Sequence, residues 1–113
     1  RRVLFRSVVI VLLNKIESLL SKNFIINPST SYLEQINFFD TIIEIVTDNK
    51  NNKCYTEKLF LYDKLKVKEY WIIDFNKNHI FIYKLPKDNF DLQIYDLDDD
   101  LKTTITKKLQ IDI

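Results

Sequence analysis

The chain contains no glycine and no methionine, and Cys54 is its one cysteine among 113 residues. A single cysteine excludes a disulfide-stapled scaffold, and a hydrophobic share of 46% excludes a disordered chain. The longest purely apolar run, residues 8–13, is far shorter than the roughly 20 residues that span a bilayer. We therefore expect one globular domain in a reducing, cytoplasmic setting, with no membrane partner.

Arginine is confined to Arg1, Arg2 and Arg6, and every later long-chain cation is lysine. This bias, together with the absence of alanine, indicates an AT-rich gene to which the first residues do not belong. The heptapeptide RRVLFRS looks like a translated sequencing adapter, so we expect residues 1–7 to be a scar and residues 8–113 to be a single domain truncated at its N-terminus. Without the scar, 14 lysines stand against 16 acidic residues, and a net charge of −2 is no evidence for nucleic-acid binding.

The spacing of apolar residues predicts a mixed α/β domain. Residues 8–21 have helical spacing, and Asn27-Pro28 ends that pattern. A β-branched run predicts a buried strand at residues 41–47, and Thr56 is expected to cap a helix that ends near Lys66. Further strands are predicted at residues 24–26, 32–36, 70–75, 79–85, 89–96 and 103–113. The predicted fold class is an α+β mixed sheet with flanking helices and a small C-terminal β tail.

Glu44 does not fit its strand. In the run TIIEIVT it shares one face with Ile42 and Val46, and the other face is also apolar. Either this is an edge strand with Glu44 in water, or the carboxylate is buried against a cation, because an unpaired buried charge costs several kcal/mol. The following helix offers Lys58, with Tyr62 one turn later on the same face.

An acid on a strand, a nearby lysine and a second acid form the usual set for metal-assisted phosphodiester cleavage. The carboxylates hold Mg²⁺, the metal polarises the phosphate, and the lysine orients or activates water. Spacing alone leaves this interpretation beside a structural one, in which the domain is an α/β fragment with no chemistry at Glu44.

Three blocks of the sequence match the pattern of one family. Asp40 and Glu44 fit its PD-x-x-x-E strand, and a helix motif E-K-x-x-x-Y fits Glu57, Lys58 and Tyr62. The third motif, V-x-E-Y-W-x-x-D, fits Val67, Glu69, Tyr70, Trp71 and Asp74. Residues 38–113 thereby resemble the Uma-type endonucleases, a branch of the PD-(D/E)XK restriction-endonuclease-like superfamily.

The resemblance implies a restriction-endonuclease-like core, Mg²⁺ or Mn²⁺ as cofactor and DNA as partner, and it leaves a homodimer open. Asp40 and Glu44 would hold the metal, Lys58 would activate water, and Tyr62 would pack beside Lys58. The implied function is metal-dependent hydrolysis of DNA phosphodiester bonds. The alternative is a degenerate nuclease-like module that binds DNA or a protein partner without cleaving it.

Asp40 can join Glu44 only if the chain bends, because residues 40 and 44 of a straight strand lie about 13 Å apart at roughly 3.3 Å per residue. Convergence of Glu44, Lys58 and a second acid within about 5 Å would favour catalysis. Without such convergence, the non-catalytic module is favoured. Lys58 is the candidate cation because Val46 occupies the lysine position of a strict E-x-K motif.

The remaining chemistry-bearing residues are interpreted as structural. The run Asp96–Asp100 is expected to be a solvated turn, because a calcium loop needs a glycine and an acid where Lys107 stands. His79 is expected at a strand edge, and Trp71 in the core. Cys54 has no paired histidine and is a weak nucleophile candidate.

Overall fold

The computed structural model describes residues 13–21, 24–28, 41–48, 52–85 and 91–111. Residues 1–7, the strand predicted at 32–36, and Asp40 lie outside these ranges. Helix α1 covers residues 13–20. The later elements are β1 (Phe24–Ile26), β2 (Thr41–Val46), a 3₁₀-helix (Asn52–Tyr55), α2 (Glu57–Lys64), β3 (Glu69–Asp74), β4 (His79–Lys84), β5 (Asp91–Asp96) and α3 (Asp99–Lys108). No helix within these ranges combines the length and the apolar character needed to cross a bilayer.

The strands form one five-stranded sheet in the order β1-β2-β3-β4-β5. β1, β2 and β3 run parallel, and β4 and β5 continue the sheet antiparallel. The turn between β3 and β4 contains Asn78 at φ 59. Asn tolerates this left-handed conformation better than most residues, so the turn forms without glycine. The predicted mixed sheet is confirmed, and its architecture is consistent with a restriction-endonuclease-like core.

One face of the sheet carries α1 and α3. Ile43, Trp71 and Ile73 point to this face and pack against apolar side chains of the two helices, namely Ile16, Leu19, Leu101, Ile105 and Leu109. Burying each such side chain contributes about 1.5–3 kcal/mol relative to leaving it exposed. Trp71 is fully buried, as predicted.

The opposite face carries the 3₁₀-helix and α2. Ile42, Tyr70 and Ile72 point to it and form a second apolar cluster with Cys54 and Tyr62. Because successive strand residues alternate between faces, Glu44 lies on the same side as this second cluster. Glu44 therefore lies between β2 and α2.

Residues Asp99–Lys108 form a helix, so the strand predicted for residues 103–113 is wrong. The other strand of the predicted β tail, at residues 89–96, is present as β5 (Asp91–Asp96). Asp98 caps α3, because its side chain accepts a hydrogen bond from the backbone N of Leu101 at 2.8 Å. Leu101, Ile105 and Leu109 recur every four residues and are buried. The β-branched residues between them suggested a strand, but burial of this apolar stripe outweighs their lower helix propensity. The acidic run is thus the start of a helix and not a turn.

The start of α2 lacks the predicted cap. Thr56 precedes the helix but makes no side-chain cap hydrogen bond. The preceding 3₁₀-helix leads into it, since the backbone N of Thr56 donates to the carbonyl of Lys53 at 3.2 Å. At the other end, Lys66 is left-handed at φ 61, at a cost of about 1 kcal/mol relative to glycine. That conformation lets the backbone N of Lys66 donate to the carbonyl of Asp63 and the backbone N of Val67 donate to the carbonyl of Tyr62, each at 3.1 Å. The end of α2 is therefore capped by backbone hydrogen bonds, whereas its start lacks a side-chain cap.

Candidate active site

Glu44 lies on a central strand. β2 is paired with β1 on one side and with β3 on the other, and α2 covers the face to which Glu44 points. The side chain is 3% exposed. The edge-strand interpretation of Glu44 is therefore wrong, and the alternative of a buried, cation-paired carboxylate is right.

Lys58 is the cation that faces Glu44. Its Nζ lies 3.2 Å from Oε1 and 3.2 Å from Oε2. Lys58 stands in the first turn of α2, and long helical side chains lean toward the N-terminus, here toward β2. The lysine side chain is 35% exposed. The ammonium therefore neutralises a buried acid from the side that water reaches.

Tyr62 completes the enclosure of the carboxylate. Its hydroxyl donates to Glu44 Oε1 at 2.6 Å, and the residue is 1% exposed. Burial, reinforced by the hydrogen bond to Glu44, raises the pKa of Tyr62 well above its ordinary value, so the phenol remains a donor. The sequence predicted that Tyr62 packs beside Lys58, but its polar contact is with Glu44.

A tyrosine beneath α2 supports this arrangement. The ring of Tyr70 meets the ring of Tyr62 edge to face, with 4.7 Å between centroids. The hydroxyl of Tyr70 donates to the carbonyl of Cys54 at 2.8 Å. This hydrogen bond links β3 to the 3₁₀-helix, and the ring contact links β3 to α2. Together they position α2 against the sheet.

An open pocket of about 270 Å³ gives access to Glu44 and Lys58. Asn27, Asp48 and Cys54 also line it. The pocket lies where the parallel strands β1 and β2 end, and the carboxyl ends of parallel strands are the usual place for ligands in α/β sheets. Sequence reasoning did not identify Asn27 or Asp48 as part of the site. For Asp48 a signal existed, because it follows Glu44 and Val46 at alternate positions.

Asp74 is buried but serves the fold. Its Oδ2 accepts from the Tyr55 hydroxyl at 2.5 Å, and its Oδ1 accepts from the backbone N of Asn76 at 2.9 Å and of Lys77 at 2.8 Å. Both oxygens are therefore used to hold the 3₁₀-helix and the β3–β4 turn. Asp74 is the last residue of the third family motif, and its role here is to anchor these two segments. It does not line the pocket that contains Glu44.

Cys54 forms part of the pocket wall and is 7% exposed. Burial raises the pKa of its thiol, the negative charge of Glu44 adds to this rise, and Lys58 opposes it. Because the thiolate is the nucleophilic form, a raised pKa makes Cys54 unreactive. The expectation of a weak nucleophile agrees with this environment.

The pocket offers two carboxylates, Glu44 and Asp48, as possible ligands for a divalent cation. Nowhere in the described ranges do three or more His, Cys, Asp or Glu residues gather as a metal site. Glu44 and Asp48 both line the pocket, and Mg²⁺ is commonly held by one or two carboxylates with water filling its other positions. The carboxylates present therefore fit a hydrated Mg²⁺, whereas a site made of protein ligands alone is not formed by these residues.

The comparisons with known proteins agree with this geometry in part. No curated protein matches the chain. The model of the Uma2 family, described as "Putative restriction endonuclease", matches residues 22–113. This match covers most of the chain and contains β1, the Glu44 strand and the Lys58 helix. The chain therefore belongs to the Uma2 family.

Proposed function

We propose that the chain is a metal-dependent endonuclease that hydrolyses phosphodiester bonds of DNA. The observation that carries this proposal is the contact between Lys58 and Glu44, 3.2 Å from ammonium to carboxylate, at the wall of an open pocket. The Lys58 ammonium is partly exposed to the pocket, whereas Glu44 is buried. A negatively charged phosphate that enters the pocket can therefore contact the ammonium. Membership of the Uma2 family supports the same activity.

Glu44, together with Asp40 or Asp48, would hold Mg²⁺ or Mn²⁺. When bound, the cation supplies Lewis-acid polarisation of a phosphate oxygen. Lys58 is the residue that would orient or activate the attacking water, and its ammonium offsets the charge of the phosphate. Tyr62 keeps hold of Glu44 Oε1, so the carboxylate retains its orientation when Lys58 turns toward substrate.

A second candidate function is a nuclease-like module that binds DNA without cleaving it. The observation in its favour is that no three acids, cysteines or histidines of the described ranges gather as a metal site. On this hypothesis the Lys58–Glu44 ion pair stabilises the fold, and the pocket binds a DNA phosphate without cleaving it. Nothing in the described part of the chain supports a homodimer.

Cleavage of supercoiled plasmid with Mg²⁺, with Mn²⁺ and with EDTA tests the proposal. We expect the parent chain to nick the plasmid only when a divalent cation is present, and Glu44→Gln to abolish nicking. Asp63→Asn is the matched control, because Asp63 is an exposed acid on the same helix as Lys58. A parent chain that retards DNA without nicking it supports the second function, and one that neither binds nor nicks DNA rejects both.

A further inference from the structure

Asn27 directly follows β1 at the rim of the pocket and has a left-handed conformation, with φ 47. Two contacts hold it there. Its backbone N donates to the carbonyl of Ile43 at 2.7 Å, and its side-chain Oδ1 accepts from the backbone N of Ile45 at 2.8 Å. The amide side chain thus continues the hydrogen bonding of the sheet where β1 itself stops, and this fixes its orientation.

The orientation of the carboxamide follows from its chemistry. The N–H of Ile45 is a donor, so the atom that faces it must be Oδ1, and the NH₂ group lies at the other end of the amide. No residue of the described ranges accepts a hydrogen bond from this NH₂ group. Asn27 is exposed and lines the same pocket as Glu44 and Lys58. Two hydrogen-bond donors are therefore held at the rim of the pocket.

The bond to Ile45 does not require an amide. Aspartate would offer the same acceptor oxygen and also tolerates the left-handed region. What asparagine adds is a neutral NH₂ donor. A phosphodiester oxygen can only accept hydrogen bonds, while Glu44 and Asp48 also only accept when ionised, and Lys58 already shares its donors with Glu44. The pocket therefore has few hydrogen-bond donors for a phosphate oxygen. The NH₂ group of Asn27 supplies such donors without adding charge.

We infer that Asn27 is a phosphate-binding residue, whose NH₂ group donates to a non-bridging oxygen of the phosphodiester that Lys58 faces. This inference rests on the proposed endonuclease function and adds a substrate contact to it. Asn27 acts on the position of the substrate, so its loss should weaken binding of DNA more than it slows the chemical step.

Two variants remove the NH₂ group in different ways. Asn27→Asp retains the acceptor for Ile45 but adds a charge. Asn27→Gly adds no charge and suits the positive φ, but it loses the contact with Ile45. Thr47→Asp is the charge-matched control, because Thr47 lines the same pocket and is exposed. The melting temperature, followed by circular dichroism, should stay near that of the parent in Asn27→Asp and fall in Asn27→Gly.

The readouts are KM and kcat for DNA cleavage with Mg²⁺, and the Kd for a short fluorescent duplex in EDTA, measured by anisotropy. We expect both Asn27 variants to raise KM and Kd about tenfold, with a change in kcat below about threefold, and Thr47→Asp to have a clearly smaller effect.

An unchanged KM and Kd in Asn27→Gly, or equal losses of affinity in Thr47→Asp and Asn27→Asp, overturns the role of Asn27 alone. Tighter Mg²⁺ binding by Asn27→Asp with undiminished cleavage also overturns it, since position 27 would then face the metal. A parent chain that neither cleaves nor binds the duplex overturns the proposed function and this inference together.

Discussion

The ammonium of Lys58 lies 3.2 Å from both carboxylate oxygens of Glu44, across the space between α2 and β2. The two partners differ in their access to water, since Glu44 is 3% exposed and Lys58 is 35% exposed. Removing the lysine would leave a charge in the protein interior, whereas removing the charge of the acid would leave the lysine free to turn into solvent. This asymmetry makes the pair testable without any substrate.

Lys58→Ala should lower the free energy of unfolding by about 2 kcal/mol. The reason is that the buried Glu44 loses its neutralising partner, although Tyr62 still donates to it. Glu44→Gln should cost less than about 1 kcal/mol, because glutamine still accepts from Tyr62 and carries no charge. Urea denaturation measures both losses.

Lys64→Ala is the control for this pair, since Lys64 is an exposed lysine of the same helix and should change stability by less than about 0.5 kcal/mol. The double variant Glu44→Gln with Lys58→Ala should be more stable than Lys58→Ala alone. If the two single losses simply add, the ion pair does not contribute in the folded chain.

Mg²⁺ should raise the melting temperature of the parent chain, because a ligand that binds only the folded state stabilises it. Glu44→Gln should abolish this shift, and Asp63→Asn should leave it unchanged. The motif implies Asp40 as the second carboxylate, so Asp40→Asn should reduce the shift. A shift that is lost in Asp48→Asn and retained in Asp40→Asn would assign the second carboxylate to Asp48. Differential scanning fluorimetry across a Mg²⁺ titration measures the shift in the parent and in the four variants.

Tyr55→Phe should destabilise the chain by about 1–3 kcal/mol, because it leaves Asp74 Oδ2 buried without its donor. Tyr95→Phe is the matched control, since the Tyr95 hydroxyl makes only a 3.3 Å contact with Gln93. Chemical denaturation of the two variants gives the comparison. Equal and small losses would mean that Asp74 is satisfied by the β3–β4 turn alone.

The thiol of Cys54 should make the fold sensitive to alkali. Its pKa in the folded chain is raised above the ordinary value of 9.0, first by burial and then by Glu44. Folding therefore favours the protonated thiol, and this contribution is complete below the unfolded pKa and is lost as pH rises above it. Between about pH 8 and pH 10, the stability of the parent should fall more steeply than that of Cys54→Ala. Parallel slopes, measured by urea denaturation at each pH, would contradict the raised pKa.

Reactivity gives a second measurement of the same thiol. At pH 8 a thiol reagent should label Cys54 in the folded chain much more slowly than in urea, because the thiolate is the reactive form. Equal rates would mean that the pocket wall opens freely.

The amino-acid sequence determined most of the local structure by itself. The β-branched run around Glu44 and the two runs that form β3 and β4 are strong strand signals, because their residues suit a pleated, buried surface. The motif that contains Lys58 and Tyr62 has helical spacing, and it predicted Lys58 as the partner of Glu44, but it did not predict the hydrogen bond from Tyr62 to Glu44. Local propensity failed at α3, where the periodic burial of Leu101, Ile105 and Leu109 outweighed the β-branched residues between them.

Only the tertiary structure decided what these residues do. Glu44 is buried because α2 covers its face of β2, with Lys58 and Tyr62 against the carboxylate, and no local pattern specifies that packing. Asp74 and Asp48 are both acids near strand ends, yet one anchors the 3₁₀-helix and the other lines the pocket. Asn27 joins Glu44 at the pocket although 17 positions separate the two in sequence. Such neighbours are set by strand order and register, which depend on long-range packing and not on the residues beside them in the chain.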